Sequence, residues 1–228
     1  MNRARIGIIG ILFGILGASA LHAADLSVYR GLRFGMSLAA AAKQAGTNAN
    51  DVRIIHTRPA LMQEIDWRPH PPVVLSDPFR TDTVQQAQLS FFNGELYRIV
   101  VDYDRYRIEG MTAADVIAGI TAIYGTATTP TADVAYNSAY GDTVPVLARW
   151  EDSDYSWNLI RTGDRSSFAL IIYSKRLEGL AQAASAEAVR LDAQEAPKRE
   201  LALQKQRDDD EQLALEKARS LNKPTFHP

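Results

Sequence analysis

Apolar positions recur along this chain with two different periods, and the change of period divides the sequence in two. Up to Ser174, short alternating runs are bounded by turn residues. "VPVLARW" places Val144, Val146, Ala148 and Trp150 on one face of a strand. "YSWNLIR" alternates Tyr155, Trp157 and Leu159 with polar residues, and "SFALIIYS" reads as a buried strand. Asp152-Ser153-Asp154 and Thr162-Gly163-Asp164 supply the turns. "DVRIIHTR" and "LMQEIDW" predict two earlier strands, ahead of the proline-rich loop "RPHPPVVLSDP". The short spacings predict antiparallel meanders.

The clearest hairpin is "VQQAQLSFFNGELYRIVVDYDRY", with Asn93-Gly94 at its turn. A two-residue loop would set Phe91 opposite Leu96 and Leu89 opposite Arg98, mixing apolar and charged groups on both faces. A three-residue loop, Phe92-Asn93-Gly94 with a bulge at Gly94, segregates them better. It pairs Leu89 with Tyr97 and Ala87 with Ile99, leads on to Val101 and Tyr103, and leaves Gln86, Gln88, Ser90 and Arg98 on the other face. The expectation is the bulged turn, because a slip of one residue inverts every side chain.

Two helix signals repeat. "FGMSLAAAAKQAG" offers Ser37 as an N-cap and Gly46 as a left-handed stop; "EGMTAADVIAGITAIYG" offers Thr112 and Gly125. Thr112 and Asp115 have the spacing of a capping box. The first helix carries a small face of Leu38, Ala41, Ala42 and Ala45; the second carries Val116, Ile117, Ile120 and Ile123. Each helix precedes antiparallel strands, so a helix-on-meander unit occurs twice.

The segments Gly35-Met36-Ser37 to Gly46 and Gly110-Met111-Thr112 to Gly125, each followed by strands, resemble the β-lactamase-inhibitor-protein-like module. That module also occurs in small outer-membrane assembly lipoproteins of the SmpA/OmlA type. The resemblance spans residues 30 to 174 in two copies. It implies an α+β layered fold and a protein-binding role rather than catalysis. The chain has no cysteine, so neither the lipoproteins' anchor nor the disulfides common in such inhibitors carries over.

From Lys175 aromatic residues vanish until Phe226 and helix formers take over. Leu177, Leu180, Ala181, Ala184, Ala188 and Leu191 form one amphipathic stripe. Ala196-Pro197 interrupts it, with Pro197 suited to the first turn of a second helix. Beyond it Leu201 and Leu215 share a face with Asp208 between them, a pattern that disfavours a continuous coiled coil. Two readings stand: a helix packed by its first half with a solvated second half, or a partner-binding helix. The expected fold class is α+β. Two helix-on-antiparallel-meander units, about 30–107 and 108–174, form one layered domain over 25–174. A long C-terminal helical tail follows over 175–228, broken near Pro197.

The first 24 residues change the expected compartment. Arg3 and Arg5 precede an apolar run from Ile6 to Leu16, and small residues follow, including Ala18-Ser19-Ala20. This is the order of a secretory signal peptide, cleaved near Ala23 or Ala24. The run is shorter than the roughly 20 residues of a spanning helix. The expected location is the bacterial periplasm, with no integral membrane span after cleavage. Removing Arg3 and Arg5 leaves 23 basic against 27 acidic side chains, a formal charge of −4. That lacks the basic footprint of a nucleic-acid binder.

Candidate chemistry is sparse. His56, His70 and His227 have no metal-ligand spacing, and no G-x-S-x-G, phosphate loop or dinucleotide fingerprint occurs. Asp102 and Asp104 alternate on a strand, where they could meet a cation or act as an acid–base pair, with His56 a further candidate. Arg105 and Arg107 offer a simpler role as salt-bridge partners. Asp208-Asp209-Asp210-Glu211 lacks the glycine and spacing of a calcium loop. The leading expectation is a non-enzymatic binding or assembly factor without cofactor or metal, its partner another envelope protein. Trp67, Tyr103, Trp157, Leu201 and Leu215 are the candidate partner surface. The alternatives are a hydrolase or transferase using Asp102 and Asp104, and a small-ligand carrier with an apolar cavity between sheet and helices.

Overall fold

The computed structural model describes residues 25–69, 82–137, 142–163 and 167–225. The expected leader, His70 with most of the proline-rich loop, Asp164 and His227 lie outside the described residues.

Both helix signals act where the sequence places them. Helix α1 (Leu38–Ala45) is capped by the Ser37 side chain, which accepts the Ala40 N–H, and stops at Gly46 with φ 66°. Helix α2 (Ala113–Tyr124) has the full capping box: Thr112 accepts the Asp115 N–H, and the Asp115 carboxylate accepts the Thr112 N–H at 2.7 Å. Gly125, at φ 87° and ψ −170°, is not the left-handed cap expected, although its N–H still reaches the Thr121 carbonyl. Ala41 and Ala42 are buried, as are Val116 and Ile120, with Ile117 half-buried. Ile123 departs from the expected stripe and is 68% exposed, because the last turn of α2 stands over an open cleft.

A short hairpin, β1 (Val28–Tyr29) and β2 (Leu32–Arg33), precedes α1. After α1 come β3 (Arg53–His56), β4 (Met62–Trp67), β5 (Val84–Phe92) and β6 (Glu95–Tyr103). After α2 come β7 (Asp133–Asn137), β8 (Asp142–Glu151), β9 (Tyr155–Thr162) and β10 (Ser167–Ser174). The larger sheet runs β3-β4-β5-β6-β10-β9-β8-β7. Each unit is therefore a helix followed by a four-stranded meander, and the two last strands meet at the centre. That seam pairs Asp102 with Ala169, Val100 with Ile171 and Arg98 with Tyr173.

The seam strands are covered on both faces, which is why they read as nearly continuous apolar runs. On one face Phe168, Leu170 and Ile172 of β10 join Leu89, Ile99, Val101, Trp157 and the residues of α1, α2 and the β1–β2 hairpin. On the other, Ala169 and Ile171 pack with Val100, Val134, Val146 and Ile160.

Two bulges set these faces, and both correct the expected registers. The β5–β6 loop has two residues, Asn93 and Gly94, both at positive φ (49° and 83°). Such a turn matches the twist of the strands it joins. Phe92 pairs with Glu95 and Phe91 with Leu96; the register then shifts so that Ser90 faces Arg98, Leu89 faces Ile99 and Ala87 faces Val101. The extra residue is Tyr97, not Gly94, and it packs with Met62, Leu177 and Ala181 on the far face. The segregation of apolar from polar residues is kept by a bulge inside the strand rather than at the turn. In β8 a shift between Val146 and Ala148 splits the expected single face. Val146 belongs to the cluster of Val100 and Ile171, whereas Ala148 and Trp150 lie on the helix-covered face.

Helix α3 (Lys175–Asn222) follows β10 directly and buries Leu177, Glu178, Ala181 and Ala188. Arg98, at 1% exposure, donates to Glu178 at 2.6 Å and to the carbonyls of Ala135 and Tyr136 on β7. One charged side chain thus ties α3 and the folded-over edge strand to the seam. Further along, Arg58 in the β3–β4 loop forms a two-pronged pair with Glu195.

The expected break near Pro197 does not occur; α3 runs through it. Proline removes the N–H that would bond the Ala193 carbonyl and crowds that carbonyl. The Arg199 guanidinium donates to the carbonyl (3.2 Å) and the carboxylate (3.0 Å) of Asp192, the residue before the one whose carbonyl proline frees. The tail is therefore one helix, packed by its first half. From Ala196 to Pro224 every residue is exposed.

Replacing Arg98 by Met leaves Glu178 buried without its cation, and is expected to cost about 3–5 kcal/mol in urea unfolding. Arg98→Met with Glu178→Met should recover most of that loss. A single variant within about 1 kcal/mol of the parent would refute the tie.

Candidate functional site: an aromatic cleft beneath the second helix

Trp157 is the centre of the site. Its position on β9 points it at the helix-covered face, where its indole N–H donates to the Leu26 carbonyl at 2.9 Å. Tyr29 meets its ring edge-on with centroids 5.7 Å apart, and Tyr124 lies tilted at 4.2 Å. Tyr29 reaches this point because Arg30 and Gly31, both at positive φ (50° and 82°), turn β1 sharply into β2. The Gln44 side chain of α1 occupies the space a Cβ on residue 31 would need. The positive φ is what favours glycine there, since the end of the Gln44 side chain is free to move.

These rings, with Tyr103 from the end of β6 and the α2 residues Val116, Gly119 and Ile120, enclose a cleft of about 360 Å³. Its mouth carries the exposed side chains of Ile123 and Met111 (68% and 41%). Arg30 stands at one side, forked onto Asp82 at 2.7 and 2.9 Å. Asp115 stands at another, and its hydrogen bonds from Thr112 hold its carboxyl below the usual range.

The phenols are neutral at any physiological pH. Burial pushes Tyr103 up to about 12, with Arg30 opposing it weakly, and burial raises Tyr29 further. Tyr124 shifts the same way. The cleft presents ring faces, aliphatic groups and hydroxyl donors. It suits an apolar or aromatic guest and offers no acid–base pair.

Of the expected partner-surface residues, Tyr103, half-buried, and Trp157, fully buried in the core at 0% exposure, both line this cleft. Trp67 is 9% exposed in the same core, away from the cleft. Leu201 and Leu215 stand on the solvated part of α3, 69% and 63% exposed. Tyr29, Tyr124 and Ile123 were not among the expected site residues. Tyr124 was legible as the last residue of a capped apolar helix; Tyr29 depends on the turn that follows it.

The residues considered for catalysis do not converge. Asp102 faces the other side of the sheet, where it accepts from Gln86 at 2.9 Å and the Tyr136 hydroxyl at 3.4 Å. It lines a polar groove of about 380 Å³ with Arg53, Asp66, Arg68, Gln88 and Tyr136. Asp104 has left the strand and accepts the Tyr106 N–H at 3.0 Å in a turn. His56 ends the edge strand β3, with β4 and β5 between it and β6. In the groove Arg53 pairs with Glu64 (3.0 Å), whose carboxyl is raised mainly by burial, and with Asp66 (3.7 Å). Arg53 is thus paired with carboxylates on β4. Among the described residues, no group of three or more His, Cys, Asp or Glu side chains is arranged to hold a metal. No helix of the described residues is long and apolar enough to cross a membrane.

No family model, curated protein or solved structure matches this chain.

Unfolded tyrosine ionises near pH 10, whereas Tyr103 in the fold holds its proton to about 12. The unfolded state therefore loses this proton first, and stability falls as pH rises from about 10 towards 12. Unfolding free energies measured across that range should fall less steeply in Tyr103→Phe than in the parent. An unchanged slope would mean that Tyr103 is solvated.

Proposed function

We propose that this chain is a secreted, non-enzymatic binding protein of the bacterial envelope, and that the cleft beneath α2 receives an apolar or aromatic side chain of a partner protein. The observation that carries this reading is an aromatic-lined cleft whose mouth exposes Ile123 and Met111 (68% and 41%). Buried aromatic contacts dominate the energetics of protein interfaces, and anchor side chains enter pockets of this kind. Rim charges held in place, Arg30 by Asp82 and Asp115 by the helix cap, orient a partner without being desolvated fully. The signal-peptide pattern at residues 1–24 supports the compartment, and the resemblance to the β-lactamase-inhibitor-protein-like module supports a protein partner over a reaction.

A second reading is favoured by the cleft's size. About 360 Å³ lies within the range of small-ligand pockets, so a carrier of small aromatic or apolar molecules would use the same walls.

The two readings separate with one substitution. Gly119 lies on α2 with open space where a Cβ would sit, so Gly119→Trp should fill the cleft while circular dichroism stays unchanged. A photo-cross-linking side chain at position 123, in the exported chain, should give a discrete protein adduct that Gly119→Trp reduces about tenfold or more. Indole binding seen by calorimetry, without any adduct, would favour the carrier. If neither is seen, the cleft is not a binding site.

A further inference from the structure

We infer that two copies of this chain associate through the exposed part of α3, lying antiparallel with the two-fold axis at Asp208. Every residue of the arm from Ala196 to Pro224 is exposed. Its sequence is a reversed repeat about Asp208. Leu201-Ala202-Leu203-Gln204 before the centre is answered by Gln212-Leu213-Ala214-Leu215 after it. Between them Lys205 and Arg207 precede the centre, while Asp209 and Glu211 follow it.

At about 100° per residue, Leu201, Asp208 and Leu215 fall within about 40° of one another on one face. Lys198, Lys205, Asp209 and Glu216 lie along one flank of that face, and Arg207 and Glu211 along the other. In an antiparallel pair, like flanks of the two helices meet. Reversal about Asp208 then sets Leu201 at the level of the second copy's Leu215. It brings Lys205 beside Asp209, Arg207 beside Glu211 and Lys198 beside Glu216, each pair formed twice. In-register parallel pairing stacks the basic block on itself and the acidic block on itself, which is repulsive.

The length agrees as well. Asp208 lies near the middle of the exposed helix, so reversal about it brings Asn222 of one copy level with Gln194 of the other. The overlap uses the whole arm and ends where each body begins. With only two leucine layers and a pair of Asp208 side chains between them, the dimer is weak and salt-sensitive.

Sedimentation equilibrium of the full chain tests this. The parent should dimerise with rising concentration, and more so at low salt. Lys205→Glu with Arg207→Glu, or Asp209→Lys with Glu211→Lys, should each weaken self-association about tenfold or more. An equimolar mixture of these two variants should associate again. Asp208→Leu completes the apolar stripe and should tighten the dimer. The absence of native cysteine allows an orientation check: Leu201→Cys should cross-link under oxidation to Leu215→Cys and not to itself, and Asp208→Cys to itself. All these positions are solvent-exposed and away from the cleft, so folding and partner capture at Ile123 are read independently. A parent that stays monomeric at every soluble concentration overturns the inference, as does Leu201→Cys cross-linking preferentially to itself.

Discussion

A guanidinium with 1% exposure is the constraint around which this molecule is arranged. Moving such a charge out of water costs several kcal/mol, and only close compensation makes it tolerable. For Arg98 the compensation comes from segments far apart in the chain. Glu178 supplies the counter-charge from the first turn of α3, and β7 supplies two carbonyls. The helix must therefore leave β10 at an angle that carries Glu178 back over the seam, and the edge strand must fold inward over the same face. One oxygen of Glu178 is buried without a hydrogen-bond partner among the described residues. An incompletely satisfied pair adds little net stability, so its contribution is better understood as selecting one arrangement over others.

That arrangement is what leaves the opposite face to the helices. With β7 and α3 gathered behind the seam, α1, α2 and the β1–β2 hairpin share the front. The β1–β2 turn brings Tyr29 and Leu26 onto Trp157 and fills the middle of that front. Helix α2 then covers the remaining side, and its last turn extends past the packed rings. A cleft results because α2 buries only Val116 and Ile120 fully. Ile123 continues the same stripe by period, yet it finds an opening instead of a sheet. The bulge that separates Val146 from Ala148 belongs to the same geometry. It lets one strand serve the front with Trp150 and the back with Val146.

The boundaries of α1 and α2, the strand positions and the helix-on-meander repeat were legible because each rests on local chemistry: a capping hydroxyl, an Asn-Gly turn, a two-residue alternation. The bulges were not, since both alternatives at the β5–β6 turn are locally sound. What decides between them is where Tyr97 must pack, against Leu177 and Met62 from distant segments. Tyr103 and Trp157 could be picked out as large aromatics near strand ends, but that alone does not separate a core ring from a cleft wall. Trp67 has the same local signature and ends in the core. The sharing of one sheet by both units depends on β6 meeting β10, and nothing local to either strand specifies that partner.

Pro197 shows how a tertiary contact can outrank a local breaker. In isolation a helix interrupted by proline would lose about 3 kcal/mol at that position and restart as two pieces. Here the preceding turns are already formed, because Leu177, Ala181 and Ala188 are packed, so the unfavourable nucleation step has been passed. Propagation across one missing hydrogen bond is then a smaller demand than starting again. The pair between Arg58 and Glu195 holds the helix just before the proline. It fixes the direction in which the charged arm leaves the body, which gives a solvated segment with no core of its own a defined orientation for meeting another surface.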